Sequence, residues 1–199
     1  MTSNQKNWTV LLTLMLVIGV PVLALLQMNA ADEESVTLVL RLTAWISFLV
    51  YVLIFITRPV RQLFASPLTR TMLNNRRYFG IVFAGSHTVH LALIIKFALD
   101  PNNLPPTLLI GGAAYALLYL MLITSFNAPA AAIGPVAWRR LHKTGLYWIG
   151  GTFTFTLVSN FSSAPDNLAL QASTVLILGA ISVRILAFLK NRGRTARLA

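Results

Sequence analysis

Six long stretches of mostly apolar residues take up most of this 199-residue chain and limit what it can fold into. They cover residues 8–28, 37–57, 78–99, 107–126, 143–162 and 168–189. Each is close to the length, roughly 20 residues, that an α-helix needs to cross the hydrocarbon core of a bilayer. The sequence therefore predicts an all-α integral membrane protein: a single domain over residues 1–199, built as a six-transmembrane-helix bundle in the lipid bilayer, with no soluble domain.

The charged residues agree with this prediction in number and in position. Only 11% of the residues are charged, whereas soluble globular domains carry about 25%, so a soluble enzyme is excluded. The acids all follow the first, third or fifth span: Asp32, Glu33, Glu34, Asp100 and Asp166. Every lysine and arginine except Arg41 and Lys96 lies at the opposite ends of the spans.

This separation of charge predicts the orientation of the chain in a membrane. Lysine and arginine concentrate in cytoplasmic segments of membrane proteins. We therefore expect both termini in the cytoplasm and the protein in the inner (cytoplasmic) membrane of a bacterium. The net charge of +11 belongs to these helix ends and not to a basic groove on a soluble fold, so nucleic-acid binding is not expected.

The residue types present narrow the possible chemistry. The chain has no cysteine, which excludes disulfides, thiolate metal sites and iron–sulfur clusters. Because all five acids lie outside the spans, neither a Ser/His/Asp triad nor an intramembrane carboxylate pair is expected. Imidazole chemistry has to use His87, His90 or His142.

Two of the histidines fall deep within the third span. His87 is nine residues past Tyr78, about 14 Å along a helix at 1.5 Å per residue, which is close to the midplane. His90 is three residues further and lies on the same broad face. An ionisable side chain at this depth is more often functional than purely structural. A histidine here can ligate haem iron, bind a quinone or relay protons. It can also simply hydrogen-bond to a neighbouring helix.

The other ionisable residues near the spans have two interpretations each. The position of His142, at the cytoplasmic end of the fifth span, favours an interfacial residue. Arg41 and Lys96 lie towards the outer ends of the second and third spans. Their long side chains can reach the membrane surface, or they can neutralise the propionates of a haem in the outer half of the bilayer.

Three segments of the sequence resemble one known family. They are Arg76-Arg77-Tyr78-Phe79-Gly80-Ile81 leading to His90, Trp138-Arg139-Arg140-Leu141-His142 leading to Tyr147, and residues 42–59 with their Arg-Pro exit. These segments and the six-span layout resemble the ferric-reductase-like transmembrane family. That family includes the haem-binding membrane subunit of the bacterial periplasmic methionine sulfoxide reductase system.

The resemblance implies a b-type haem held between the third and fifth helices. His90 matches the family's outer ligand on helix three, and His142 its inner ligand on helix five. The chain departs from the pattern at the partner positions, where Phe155 and Arg76 cannot bind iron. Three arrangements are left: one haem on His87 or His90, a displaced fifth helix that brings His142 into a bis-histidine pair, or loss of haem.

The resulting hypothesis is a membrane b-type haem protein that transfers electrons, the electron-transfer subunit of an oxidoreductase. His90, His87 and His142 are the predicted iron ligands, and Arg41 is the predicted partner of the propionates. Electrons come from quinol or a separate flavoprotein and pass to an acceptor protein. The alternative is a haem-free accessory or scaffold subunit that works with other membrane subunits. A third hypothesis is a quinone-binding or transporter-like protein that uses the midplane histidines.

Overall fold

In a computed structural model, which describes residues 33–98, 102, 108–164 and 166–196, the regular structure is helical. The described residues form six α-helices and no strand: α1 (Glu33–Leu63), α2 (Pro67–Asn74), α3 (Arg76–Leu93), α4 (Leu108–Ile123), α5 (Asn127–Ser163) and α6 (Leu168–Ala196). A π-helical segment, Ile94–Ala98, continues α3. The predicted all-helical class is confirmed for this part of the chain. The first predicted span, residues 8–28, lies outside the described residues.

Three of the helices are long and apolar enough to cross a membrane: Glu34–Leu63, Arg76–Phe97 and Leu168–Gly193. The predicted fourth and fifth spans differ from this pattern. The described part of α4, Leu108–Ile123, has 16 residues and is about 24 Å long. Leu108–Ile123 and Asn127–Phe161 are long and apolar enough to cross a membrane when they are taken together. A bend of 113° separates the two helices of this pair.

The outward faces of these helices are apolar. Leu109, Leu168 and Val175 are 83%, 77% and 71% exposed, respectively. A soluble domain rarely presents large contiguous apolar surface. These faces and the three span-length helices agree with a protein that resides in a membrane.

Helix α2 occupies a connection for which the sequence analysis predicted no element. Ser66 caps it: the side chain accepts a hydrogen bond from the Thr69 backbone N–H, while the Ser66 N–H donates to the Thr69 hydroxyl. Pro67 stands at the first helical position, where its missing N–H costs nothing. Local capping chemistry thus accounts for this short helix.

Helix α5 begins 16 residues before the predicted fifth span and bends near its start. Gly134 has φ 75° and ψ 164°, a left-handed backbone conformation that side-chain-bearing residues rarely adopt. Pro135 follows and cannot donate to the preceding turn. The Gly-Pro pair therefore redirects the helix before the apolar part of α5 begins.

Helix α1 is the centre of the described bundle and packs mainly on α3 and α6. The core residues of α1 are almost fully buried: Phe48, Tyr51, Val52, Ile54 and Phe55. They meet Phe83 and Ala84 from α3 and Ile177 and Ala180 from α6, with further contributions from α4 and α5. The second predicted span is therefore the helix around which the others assemble.

A glycine on α5, Gly150, lets the Tyr51 side chain reach that helix. The Tyr51 hydroxyl donates to the Leu146 carbonyl at 2.8 Å. A Cβ added at Gly150 would overlap that hydroxyl and contact the Tyr51 and Phe55 rings. Glycine at position 150 therefore permits the close contact between α1 and α5, as small residues do at membrane helix interfaces.

A proline in α1 creates the contact with α6. Pro59 lies inside the helix and has no N–H to donate to the carbonyl four residues earlier, that of Phe55. Nη1 of Arg184 donates to this carbonyl at 2.7 Å, and Nε of the same guanidinium donates to the Tyr147 hydroxyl at 3.1 Å. Near this end, Lys190 donates to the Leu63 carbonyl. Cations of α6 thus satisfy carbonyls that α1 leaves open.

We expect Gly150→Ala to destabilise the protein, because the added methyl forces Tyr51 away from α5. Overpacking of this kind costs about 1–3 kcal/mol. The measurement is the apparent melting temperature of the detergent-solubilised protein, which should fall by several degrees. Adding Tyr51→Phe, which removes the overlapping hydroxyl, should recover part of the loss.

Gly151→Ala is the matched control. A Cβ at position 151 has nothing within 4 Å, and alanine favours helix over glycine, so this variant should be as stable as the parent or slightly more stable. Equal melting temperatures for the two alanine variants would contradict the packing role of Gly150.

Candidate functional site

The two deep histidines lie in a cluster of aromatic rings between α3, α4 and α5. The His87 and His90 rings are stacked with centroids 5.7 Å apart. Tyr115 of α4 stacks on His87 at 4.7 Å, Phe83 lies at 5.2 Å, and Phe153 of α5 contacts the same imidazole at 5.6 Å. The sequence prediction that His87 and His90 share one face is therefore correct, and we call these five residues the histidine–aromatic cluster.

A threonine of α1 orients His90. The Thr43 hydroxyl lies 2.9 Å from His90 Nδ1 and is also within hydrogen-bond distance of the Val39 and Leu40 carbonyls. A hydroxyl has one proton, and in a helix it commonly donates to the carbonyl four residues earlier. The Thr43 hydroxyl then accepts from His90 Nδ1–H. This assignment leaves a lone pair on His90 Nε2, the arrangement that ligating histidines have.

His87 differs from His90 in its polar contacts. Its Nδ1 is buried and has no hydrogen-bond partner among the residues that the structure describes. The Tyr115 hydroxyl reaches the backbone carbonyl of His87 at 3.4 Å and does not bond the ring. A buried polar atom without a partner usually costs 1–3 kcal/mol, on the order of one lost hydrogen bond. An unpaired ring nitrogen inside an aromatic cluster therefore requires an explanation, and a ligand is one.

His142 lies in a different part of the bundle. Its Nε2 is 3.1 Å from the Thr124 hydroxyl, and its ring stacks on Trp138 at 4.1 Å. Arg76 and His142 line the same cavity. Since His87 is 11 residues beyond Arg76 on α3, about 16 Å along the helix, the structure does not bring His142 to the other histidines.

The other residues that the sequence singled out also lie apart from the cluster. Arg41 is exposed, and it precedes Thr43 by two residues, about 200° around α1. Lys96 is exposed, with its ammonium 4.8 Å from the Phe97 ring centroid. Phe155, at the position where the resemblance lacks a ligand, lines an outer groove, and the α5 ring that reaches His87 is that of Phe153 instead.

No protein-family model, curated protein or solved structure matches the chain. The site is therefore described from its own geometry. Among the described residues there is also no group of three or more His, Asp or Glu side chains placed to hold a metal ion. The histidine–aromatic cluster presents two imidazoles, both from α3.

Four of the residues that define the site were not predicted from the sequence: Thr43, Phe83, Tyr115 and Phe153. Thr43 is a polar residue in an apolar span, and its position was a usable signal. Tyr115 and Phe153 gave no signal, because an aromatic residue in a span most often packs against lipid or another helix. Which rings surround His87 depends on how α4 and α5 are placed against α3.

We expect ¹⁵N NMR of imidazole-labelled protein to show His90 protonated on Nδ1. With only three histidines in the chain, single His→Gln variants assign each pair of signals. Thr43→Val removes the acceptor for this proton, so the proton should move to Nε2, whereas Thr43→Ser should keep the parental pattern.

Thr124→Val is the control for this measurement, because it should change only the His142 signals. An Nε2-protonated His90 in the parent protein would overturn the orientation argued for its ring. The same conclusion would follow if Thr43→Val left the His90 signals unchanged.

Proposed function

We propose that this chain is a membrane b-type haem protein that transfers electrons to a partner redox protein. The observation that carries the proposal is the histidine–aromatic cluster: two stacked imidazoles in the middle of a span-length helix. The buried Nδ1 of one of them, His87, has no hydrogen-bond partner within the described part of the chain. Ionisable side chains at such a depth are costly, and they mark functional sites by default.

The two imidazoles of the cluster are donors of the kind that haem iron takes. His90 would supply Nε2 to the iron while Thr43 fixes the ring through Nδ1, and His87 would be the second ligand or a neighbour of the macrocycle. A bound haem supplies reversible one-electron chemistry. The Tyr115, Phe83 and Phe153 rings exclude water from this region, and haem potentials depend on burial of this kind. The resemblance to the ferric-reductase-like family supports His90 for the same role.

The proposal assigns different roles to the two remaining predicted residues. We do not assign His142 to the same iron, because it lies with Arg76 and Trp138. Arg41 as the partner of a propionate stays a prediction. Its exposure on α1 agrees equally with a side chain that reaches the membrane surface.

The charge distribution supports a bacterial inner-membrane orientation with six spans and both termini in the cytoplasm. The electron donor is then quinol or a separate cytoplasmic flavoprotein, which would meet the basic ends of the helices. The acceptor is a redox protein, and other membrane subunits are possible partners.

The visible spectrum of the purified full-length protein tests the haem proposal. Protein from haem-replete cells should show a Soret band and, after reduction, the α-band of a b-type haem. His90→Ala should lower the haem-to-protein ratio by roughly tenfold or more, because losing even the hydrogen-bond partner of a metal-ligating side chain typically costs 10–100-fold in metal affinity. His87→Ala should shift the bands or the midpoint potential.

His142→Ala is the matched control and should retain both the haem and the spectrum. A colourless parent protein, with no haem extracted by pyridine, would refute the proposal. The assignment of ligands would be wrong if His142→Ala lost haem while His90→Ala kept it.

The second candidate function is a haem-free accessory subunit of a larger membrane complex. One observation favours it: ring contacts already surround His87, and neither the cavity that Arg76 and His142 line nor the outer groove at Phe155 borders His87 or His90. The same purification decides between the two functions, because the accessory role requires subunits that copurify stoichiometrically with a colourless protein.

The orientation is tested by labelling single cysteines, which the cysteine-free parent makes unambiguous. In intact cells, a membrane-impermeant maleimide should label Asn102→Cys and Ala164→Cys, at the acidic ends of the spans. It should label Ser66→Cys only after the membrane is permeabilised. The reverse pattern would contradict the proposed orientation.

A further inference from the structure

A basic pocket of about 390 Å³ lies between α1, α3, α5 and α6, at the basic end of the described bundle. Its charged and ionisable lining residues are Arg58, Arg76, Arg139, His142, Lys143 and Arg184. None of the described residues that line it is a carboxylate. The Nε of Arg76 is buried without a hydrogen-bond partner among the described residues. A concentration of uncompensated cations around a cavity indicates an anionic ligand.

An apolar groove of about 870 Å³ adjoins the basic pocket on the outside of α5 and α6. Tyr147, Arg184 and Phe188 line both cavities, so the pocket and the groove are direct neighbours. Gly150 and Gly151 line the groove without side chains, and the walls include the half-exposed residues Phe155, Val158, Ile181 and Ile185. The groove therefore offers an apolar channel that starts at a cluster of cations and opens to the side of the bundle.

Arg184 sits at the junction and is held there. Its guanidinium lies over the Phe55 ring at 4.3 Å and the Tyr147 ring at 4.8 Å, and its two hydrogen bonds use Nε and Nη1. The positive charge is thus fixed where the polar and apolar parts meet. A phospholipid has the same order of parts, with a charged phosphate linked through glycerol to apolar acyl chains.

We propose that the basic pocket and the apolar groove form one binding site for an anionic phospholipid, with the phosphate among the cations and an acyl chain in the groove. A soluble phosphate matches the pocket but has no part that occupies the groove. A zwitterionic lipid matches the groove, but it brings its own positive charge to a site that has an excess of cations. The proposal is independent of haem, because no residue of the histidine–aromatic cluster lines either cavity.

Native mass spectrometry of the full-length protein, delipidated in neutral detergent, tests the site. Phosphatidylglycerol and phosphatidylcholine with identical acyl chains are titrated separately. We expect one phosphatidylglycerol to bind at concentrations where phosphatidylcholine does not. Millimolar inorganic phosphate should displace little of it, because the acyl chain contributes to the affinity.

Two variants separate the contributions of the pocket and the groove. Arg139 and Lys143 are exposed and one turn apart on α5, so R139Q/K143Q should keep the fold. It should weaken phosphatidylglycerol binding by roughly 30-fold, as expected for two basic residues near an anionic headgroup. Gly151→Leu fills the groove without a backbone clash and should also weaken binding.

Each variant has a matched control. Arg140 neighbours Arg139 but does not line the basic pocket, so Arg140→Gln should bind phosphatidylglycerol like the parent. Gly179→Leu adds the same side chain to an open position on α6 outside the groove and should have no effect.

Three results would overturn the proposal. The first is equal binding of the two lipids, which needs no variant. The second is complete displacement of phosphatidylglycerol by inorganic phosphate, which would identify a free-anion site. The third is an equal loss of binding in Arg140→Gln and R139Q/K143Q, which would identify a diffuse surface-charge effect.

Discussion

The hydrogen bond from Arg184 to the Phe55 carbonyl is the interaction on which much of this structure depends. Pro59 removes the helical partner of that carbonyl. In apolar surroundings an open backbone carbonyl costs several kcal/mol unless another donor reaches it. Arg184 supplies the donor at 2.7 Å and is itself held between the Phe55 and Tyr147 rings. This one hydrogen bond therefore satisfies the open carbonyl of α1 and holds α6 against α1. It also places a cation between the basic pocket and the apolar groove.

The polar groups within the helices follow the same rule of internal satisfaction. Thr43 in α1 and Thr124, directly after α4, each donate to a carbonyl four residues earlier and contact one histidine of another helix. Tyr51 bonds the Leu146 carbonyl across the gap that Gly150 leaves. Against this background Nδ1 of His87, which has no hydrogen-bond partner in the part of the chain that the structure describes, is an exception. A ligand that bonds such an atom removes the free-energy cost of leaving it without a partner. For this reason the histidine–aromatic cluster is the proposed centre of function.

Much of the helical layout was predictable, because the length and apolarity of a segment are local properties. Residues 37–57, 78–99 and 168–189 correspond to α1, α3 and α6, each long enough to span a membrane. The helices extend beyond the predicted limits because charged residues continue a helix past its apolar part. The fourth and fifth segments were harder to predict. Their shape depends on the bend between α4 and α5 and on the kink at Gly134. Neither the bend nor the kink can be predicted from the apolarity of the segments alone.

The sequence by itself determined the helical class, the separation of acids from bases, and the shared face of His87 and His90, since three-residue spacing fixes a helix face. Only the tertiary structure decided that His142 lies apart from that pair, that Phe153 rather than Phe155 reaches it, and that Arg184 bonds the Phe55 carbonyl. The physical reason is that these relations depend on the rotation and offset of one helix against another. Packing between distant segments sets those quantities, and neither spacing nor composition along the chain encodes them directly.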